Sequence, residues 1–375
     1  MSTPLALLDT DVETDLRITV RELLADRCPS DAVRAMYDGD RSIVGKLWKA
    51  LGVDLGLAGL LVPEDQGGAG ASAREAAVVL EELGFAAAPV PFLTSAVVAT
   101  TVLLETAREG GSEPVSGLIG ALASGEGTLA LVVPFSTARN GRLATAMVDA
   151  AGCLSGEVTS VAGVLEADTL LVPVADGDRV ALYAVEAGAV AITPVSSLDM
   201  GRQLADVRLD GAAGELLSGD AEAAIRTALD TGSALLASEQ VGIARWCLEE
   251  TVSYLKTRRQ FGRVVGGFQA IKHRLADLYT AVESGTAAAH YAAAALAAGD
   301  PDWLVGASVA QAYCGDLAVY AAEEALQLHG GIGMTWEHPT HLYLKRAKAD
   351  QIALGTPGAH RAALADFVNL PAAEA

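Results

Sequence analysis

Cysteine is scarce in this 375-residue sequence, and the few cysteines are scattered with no CxxC spacing: Cys28, Cys153, Cys247 and Cys314. This pattern excludes a dense disulfide framework and a cysteine-based metal site. We therefore expect reduced cysteines in the core of a cytoplasmic protein, and no bound metal ion.

Basic residues and long hydrophobic runs are also in short supply. Lysine and arginine total 26 against 47 aspartates and glutamates, so the formal net charge is −21. An acidic chain of this kind argues against a nucleic-acid partner. No apolar run reaches the roughly 20 residues that a membrane-spanning helix needs, so no membrane partner is expected. The first residues turn acidic at once and lack a basic n-region, so no secretory signal is expected either.

Apolar residues nevertheless make up 51 % of the chain, and their spacing divides it into three parts. Helical periodicity in residues 1–122 predicts an N-terminal helical domain. Short β-branched runs punctuated by Gly and Asp predict a middle antiparallel β domain in residues 123–215. Long alanine-rich segments in residues 216–375 predict a C-terminal four-helix bundle, which makes the fold class α+β. The predicted strands and bundle helices are Leu129–Val133, Thr169–Val174, Val180–Val185, Val190–Ile192, and Glu222–Thr257, Phe268–Ala298, Leu304–His329.

A basic segment interrupts the acidic chain between two predicted bundle helices. Residues 253–279 hold six cationic side chains: Lys256, Arg258, Arg259, Arg263, Lys272 and Arg274. Forked donors beside a glycine-rich turn favour a phosphate or carboxylate partner. A solvated loop that aids solubility explains the same cluster equally well when it is considered alone.

A glycine-rich segment follows the last of these helices, with Gly330, Gly331 and Gly333 directly after His329. Glycine has no Cβ, so a ligand can approach its backbone N–H group closely. A capped helix end is the simpler explanation when the segment is considered alone.

Together, three motifs resemble the acyl-CoA dehydrogenase family. They are G-L-x-G-L-x-V-P-E-x-x-G-G-x-G at 56–70, R-x-Q-F-G at 258–262 followed by G-F-Q-A-I at 267–271, and Q-L-H-G-G-I-G at 327–333. The resemblance covers nearly the whole chain. It implies that family's fold, with a helical domain, a β domain and a helical bundle. It also implies α,β-dehydrogenation of an acyl-CoA with FAD as cofactor.

The family uses the second and third motifs to hold the pyrophosphate, ribityl and adenosine parts of FAD bound to a neighbouring subunit. The resemblance therefore implies FAD contacts from the residues at matching positions: Arg258, Gln260, Phe261, Gln269, Gln327, Gly330 and Gly331. It continues through residues 351–356, where Thr356 is a further expected FAD contact. Gln260 replaces a frequent Thr or Ser of the family but still offers a donor and an acceptor.

The family's catalytic base has no counterpart here. Its usual position falls on Leu354, and the alternative position, on the helix before R-x-Q-F-G, falls on Gly232. Neither side chain can accept a proton. Asp230 lies two residues from the second position, and Glu239 lies two turns further along the helix, about 10 Å at 1.5 Å per residue. An ion pair on the helix surface or between helices is the simpler role for Glu239.

The middle domain departs from the family as well. In the family, a T-E-P-x-x-G-S-D loop binds the isoalloxazine ring. The comparable residues of this sequence, 132–140, keep only the proline, Pro134. Ser136 or Thr137 offers a single hydrogen bond in place of the lost groups.

The retained groups are those the family uses across a subunit interface, and the lost groups are those it uses within one chain. This pattern resembles the degenerate subunits of heteromeric actinobacterial dehydrogenases that act on steroid side-chain thioesters. We therefore expect a non-catalytic partner that completes the FAD site of a homologous catalytic sister in a heterotetramer. The expected substrate is an acyl-CoA and the expected acceptor an electron-transfer flavoprotein. The alternatives are a self-sufficient homotetramer with a relocated base and a flavin-free thioester-binding or scaffold protein.

Overall fold

Helices occupy both ends of the chain in the computed structural model, which describes residues 5–110, 112–368 and 370. None of the described helices combines the length and the apolar character that crossing a membrane requires. Two apolar segments, Lys49–Asp54 and Phe92–Ala99, are π-helical. The α-helices are α1 (Asp11–Arg27), α2 (Ser30–Ala35), α3 (Ser42–Trp48), α4 (Ala73–Phe85), α5 (Thr100–Arg108), α6 (Glu113–Ser124), α7 (Glu222–Thr257), α8 (Gln269–Ala297), α9 (Trp303–His329), α10 (Thr340–Ile352) and α11 (Pro357–Phe367).

An eight-stranded sheet lies between α6 and α7 in the chain, and a two-stranded hairpin follows α7. The strands of the sheet are β1 (Leu129–Leu131), β2 (Ala146–Val148), β3 (Leu154–Val161), β4 (Thr169–Asp176), β5 (Arg179–Glu186), β6 (Ala191–Pro194), β7 (Ala205–Ala212) and β8 (Glu215–Ser218). The hairpin consists of β9 (Arg259–Gln260) and β10 (Arg263–Val264).

Most strand pairs of the sheet are antiparallel, in the order β6-β7-β3-β2-β4-β5-β8 with β1 beside β4. The local exceptions are β1 and β2, which both pair with β4 in parallel. Inward-facing side chains from several strands, such as Leu154, Val172 and Val207, form one apolar core. The expected α+β architecture, with helical segments on either side of a β domain in the chain, is confirmed.

The predicted bundle helices match α7, α8 and α9 to within one residue at each end. The four predicted strands correspond to β1, β4, β5 and β6. The sequence does not predict β2 and β8, which are short, or β3 and β7. In these last two, exposed polar residues such as Glu157, Thr159, Arg208 and Asp210 alternate with the apolar ones. This is the period-two pattern of a half-buried strand, and a prediction that rests on continuous apolar runs overlooks it.

The chain folds into two compact units. One contains the described residues of Met1–Asp38, Ala77–Ala88 and Ser233–Ala375, and the other contains Gly39–Ala76 and Pro89–Gly232. The first unit holds α8, α9 and α7 from Ser233 onward, and the second holds the sheet and the first residues of α7, up to Gly232. Small side chains fill the bundle core where α7, α8 and α9 meet: Ala234, Ala237, Val241, Ala289, Ala292, Ala307, Ala310 and Cys314.

Within the first unit, α4 and α7 cross with their backbones in contact. A Cβ built on Gly242 would lie 1.9 Å from the carbonyl oxygen of Glu81, and one built on Gly84 would lie 2.0 Å from that of Glu239. Both distances are far below a van der Waals contact, so the crossing requires glycine at both positions.

The carboxylate of Glu81 is buried beside this crossing and faces three basic side chains. Arg17 of α1 donates to it at 2.8 Å, Arg245 of α7 pairs with its other oxygen, and His290 Nε2 of α8 lies 3.8 Å away. Burial raises the pKa of Glu81, but the interaction with the neighbouring His290 and the charges of Arg17 and Arg245 outweigh it and lower the pKa to about 2. The ionised carboxylate therefore links α4 to three other helices.

Gly242→Ala should lower the free energy of unfolding, because the new methyl group overlaps the Glu81 carbonyl oxygen. Overpacking of a filled core costs roughly 1–3 kcal/mol, and a backbone neighbour that cannot swing away favours the upper end. Denaturant unfolding of the two purified proteins measures the difference.

Gly120→Ala in α6 is the matched control, because this exposed glycine has nothing within 4 Å of a built Cβ. There alanine should stabilise the helix by up to about 1 kcal/mol. Equal effects of the two substitutions would contradict the close crossing.

Candidate functional site

Two contacts bring the ends of three bundle helices together. Arg274 near the start of α8 donates two hydrogen bonds of 2.8 Å to Glu324 near the end of α9. Tyr254 near the end of α7 stacks on His329 at the end of α9, with ring centroids 4.6 Å apart. The basic segment and the glycine segment, which are distant in sequence, therefore lie at the same end of the bundle.

The hairpin after α7 presents Phe261 at its tip. The loop residues Phe261 and Gly262 have φ values of +50° and +73°, as in a type I′ turn. This conformation is unfavourable for a bulky residue. The ring of Phe261 is 91 % exposed and makes an edge contact with Phe268. Gln260 is exposed next to it. The described part of the chain therefore leaves this ring largely uncovered.

Arg258, Gln269 and Gln327 are exposed at the same end of the bundle. Gln269 is the first residue of α8, where the helix dipole and free N–H groups attract anions. Among the residues that the structure describes, no carboxylate lies within ion-pair distance of the Arg258 guanidinium. Its forked donors therefore remain available for a phosphate group.

The glycine segment is open to solvent. Gly330 ends α9 with φ +62° and ψ −139°, a conformation that side chains with a Cβ rarely adopt. No described atom lies within 4 Å of a Cβ built on Gly330 or Gly331. A ligand can therefore reach the backbone of both residues without displacing any described part of the chain.

Thr356 lies elsewhere, at the start of α11. Its hydroxyl oxygen caps that helix by accepting a hydrogen bond from the Ala359 N–H at 3.2 Å. The neighbouring Pro357 packs 3.2 Å from a Cβ built on Gly315, near the middle of α9. Gly315 is about 20 Å along the helix axis from Gly330, so the structure does not bring Thr356 to the surface formed by the other predicted residues.

These residues fit the pyrophosphate and adenosine parts of FAD. The surface offers a guanidinium with free donors, a helix N-terminus and an open glycine backbone, which are the groups that bind nucleotide phosphates. All of these groups are exposed to solvent in the described part of the chain.

Leu354 and Gly232, the two positions at which the resemblance leads us to expect the base, have side chains without a proton acceptor. Leu354 is buried and has a left-handed backbone with φ +53°, which is unusual for leucine. Its carbonyl oxygen lies 3.1 Å from Nε2 of the buried His360. Gly232 is buried within α7.

Asp230 is buried in the second unit, where its carboxylate pairs with Arg139. Burial raises the pKa of Asp230, the charges of Arg139 and Arg226 offset part of this effect, and the result is about 6. Arg226 also donates to the carbonyl oxygens of Arg139 and Gly141, at 2.7 and 3.1 Å. The loop that corresponds to the flavin-ring loop is thereby attached to α7 of its own chain. The sequence does not predict the contacts of Arg139 and Arg226, because their partners lie more than 80 residues away in the chain.

The hydroxyl groups of this loop offer little to a flavin ring. The Thr137 hydroxyl donates to the carbonyl oxygen of Pro134 at 2.6 Å, so its proton is already used. Ser136 is exposed. Of the two residues considered from the sequence, only Ser136 has a side chain facing solvent.

Glu239 pairs with Arg346 of α10 at 2.8 Å, and both side chains are at most 2 % exposed. The structure therefore shows the ion pair between helices that is the simpler interpretation of Glu239. Arg346 is not identified from the sequence, because nothing in the pattern of α10 distinguishes it from the neighbouring lysines.

Two family models match most of the chain. The N-terminal domain of acyl-CoA dehydrogenases matches residues 10–126, and the C-terminal domain matches residues 222–368. Acyl-CoA dehydrogenase IpdE2 from Mycobacterium tuberculosis (strain ATCC 25618 / H37Rv) is 37 % identical over 342 residues, which cover 91 % of this chain and 92 % of that protein.

Solved structures show the same similarity. A variant of the steroid ACAD Tcur3481-Tcur3483 superposes with a TM-score of 0.83 at 28 % identity, covering 97 % of this chain and 99 % of that chain. The ChsE4-ChsE5 complex from Mycobacterium tuberculosis gives a TM-score of 0.85 at 26 % identity, covering 98 % of this chain and 100 % of that chain.

Glu239→Gln should destabilise the protein, because it leaves Arg346 buried opposite a neutral side chain. Breaking a buried ion pair from one side costs roughly 3–5 kcal/mol. Denaturant unfolding measures the loss, and the double substitution Glu239→Gln with Arg346→Met is the control that should recover much of it. Unchanged stability of Glu239→Gln together with loss of dehydrogenase activity would instead identify Glu239 as a catalytic base.

Proposed function

Because this chain belongs to the acyl-CoA dehydrogenase family, we propose that it is the partner subunit that completes the FAD site of a homologous catalytic sister. The assembly is a heterotetramer with two copies of each chain. Its reaction is the α,β-dehydrogenation of an acyl-CoA thioester.

The exposed half-site at the end of the bundle is the observation that carries this proposal. Arg258, Gln269, Gln327 and the Gly330–Gly331 backbone face solvent without a second wall formed by the same unit. A sister chain that holds the flavin ring supplies that wall. The exposed ring of Phe261 lies on the hairpin beside Arg258 and is then covered by the sister.

The chain also lacks the groups that an independent active site requires, and this supports the same proposal. Leu354 and Gly232 cannot take a proton, and Glu239 is neutralised by Arg346. The loop that corresponds to the ring-binding loop is held to α7 by Arg226. In a homotetramer of this chain, every active site would therefore lack both a catalytic base and a ring-binding loop.

In the proposed complex each chain has a separate role. Bound FAD supplies the acceptor for the β-hydride of the substrate, and a carboxylate of the sister subunit takes the α-proton. Arg258 neutralises pyrophosphate charge, and the N-terminus of α8 adds its dipole to this effect. Gln327 and the glycine backbone position the adenosine half.

The proposed substrate is the CoA thioester of a steroid side chain, and the proposed electron acceptor is an electron-transfer flavoprotein. The steroid assignment is supported by the similarity to Tcur3481-Tcur3483, which is described as a steroid ACAD. The heteromeric assignment is supported by the similarity to the ChsE4-ChsE5 complex.

A self-sufficient enzyme with Asp230 as base is the competing function. The observation that favours it is the pKa of Asp230, which burial raises to about 6, close to the value that suits a general base at neutral pH. Against it, the carboxylate is paired with Arg139.

Arg258→Ala should weaken FAD retention by the assembled oligomer, because it removes a charge-assisted hydrogen bond to the pyrophosphate. Such a bond contributes about 1.5–3 kcal/mol, which corresponds to a roughly 10- to 100-fold higher dissociation constant. Flavin fluorescence during dilution of the complex measures the constant. Arg179→Ala, which alters an exposed arginine of β5, is the matched control and should retain FAD normally. Normal retention by Arg258→Ala would contradict the proposed contact.

A further inference from the structure

Three potential metal ligands meet near the end of the bundle, from separate parts of the chain. Glu250 belongs to α7, His329 is the last residue of α9, and His338 lies two residues before α10. One ligand atom from each lies within 4.8 Å of the others. No local spacing motif connects the three residues, so sequence reasoning does not find the cluster and predicts no metal site.

His329 has the environment of a preorganised ligand. Its side chain is 2 % exposed, and its Nδ1 lies 2.7 Å from the carbonyl oxygen of Ala325, an acceptor that requires the proton on Nδ1. Nε2 then carries a lone pair, and among the described residues this buried atom has no hydrogen-bond partner. A backbone carbonyl that fixes the tautomer and orientation of an imidazole is the usual support of a metal-bound histidine.

His338 and Glu250 lie close to His329. Nδ1 of His338 contacts the Thr340 hydroxyl and also lies 3.4 Å from the Thr340 backbone N, whose N–H donates to Nδ1 when that nitrogen is unprotonated. In the other tautomer Nδ1 donates to the hydroxyl oxygen, and Nε2 then carries the lone pair that a metal ion requires. This Nε2 lies 3.8 Å from Oε1 of Glu250, too far for a hydrogen bond. The imidazole rings of His329 and His338 lie 4.2 Å apart. Three potential metal ligands thus lie close together without hydrogen bonds between them.

We propose that Glu250, His329 and His338 form a binding site for a divalent transition-metal ion, with Zn²⁺ as the preferred ion. Two imidazoles and one carboxylate are a ligand set that Zn²⁺ accepts, with a fourth position for water. Bonds of about 2.1 Å in tetrahedral geometry place ligand atoms about 3.4 Å apart, so closure requires movements of about 1 Å. Glu250 can move, because its side chain is 41 % exposed.

Solvent reaches the Glu250 side of this cluster. Glu250 also lines a cavity of about 340 Å³ together with Cys28, Pro339 and Tyr343, whereas neither histidine belongs to the lining of that cavity. A bound ion would connect α7, α9 and the segment before α10, and would fix His329 next to Gly330 at the nucleotide-binding surface.

Zn²⁺ titration of the chelator-treated full-length chain tests the site, with calorimetry for stoichiometry and affinity and thermal unfolding as a second readout. We expect one ion per chain and a higher melting temperature, because the ion binds the folded state. His338→Ala and Glu250→Gln should each lower the affinity by at least about tenfold, the effect of losing even an outer-shell partner. Both changes affect partly exposed side chains, so folding is not the limiting concern. Co²⁺ in place of Zn²⁺ should give the visible absorption of a tetrahedral site.

His273→Ala is the matched control, because it removes an exposed histidine of α8 and should leave Zn²⁺ affinity unchanged. Absence of stoichiometric binding would overturn the proposal. Binding that survives both His338→Ala and Glu250→Gln would overturn it as well. These measurements need no FAD and no partner chain, so their outcome is independent of the proposed function.

Discussion

The buried carboxylate of Glu81, set beside the glycine crossing of α4 and α7, is the interaction on which the first unit depends. A buried charge is tolerated only when it is matched, and here Arg17, Arg245 and His290 supply the match from three other helices. Gly242 lets the two backbones touch, which sets the position of α7. The rest of α7 then carries Glu239 into the core and delivers Arg258 to the end of the bundle.

The same principle explains why this chain has carboxylates but no evident base. Glu239 is matched by Arg346 and Asp230 by Arg139, so each of these two buried acids is engaged by a cation of its own unit. The positions where the family carries its base hold a leucine and a glycine. The Arg258 guanidinium, by contrast, is exposed and has no acidic partner among the described residues. The negative charges of Glu239 and Asp230 are thus neutralised inside the chain, whereas the positive charge of Arg258 remains available on the surface proposed to face a sister subunit.

The sequence predicts features set by local pattern. The periodicity of α7, α8 and α9 locates these helices to within one residue, and the motifs at Arg258 and Gly330 suffice to identify the family. Features that depend on long-range pairing could not be predicted. The attachment of the Arg139 loop to α7 and the convergence of Glu250 with two histidines join residues far apart in sequence, and no periodicity records such pairs. Thr356 illustrates the same limit, because a motif match indicates a role but not which end of the bundle the residue occupies.

The central claim is that this chain contributes half of an FAD site to a different chain. The most direct test is to express it alone and together with a homologous dehydrogenase that retains the glutamate base and the ring-binding loop. Native mass and flavin absorbance are then measured for each purified species. The account predicts a colourless chain alone, and a complex of two copies of each chain with one FAD per pair. One FAD bound per copy of this chain, purified without any partner, would contradict it.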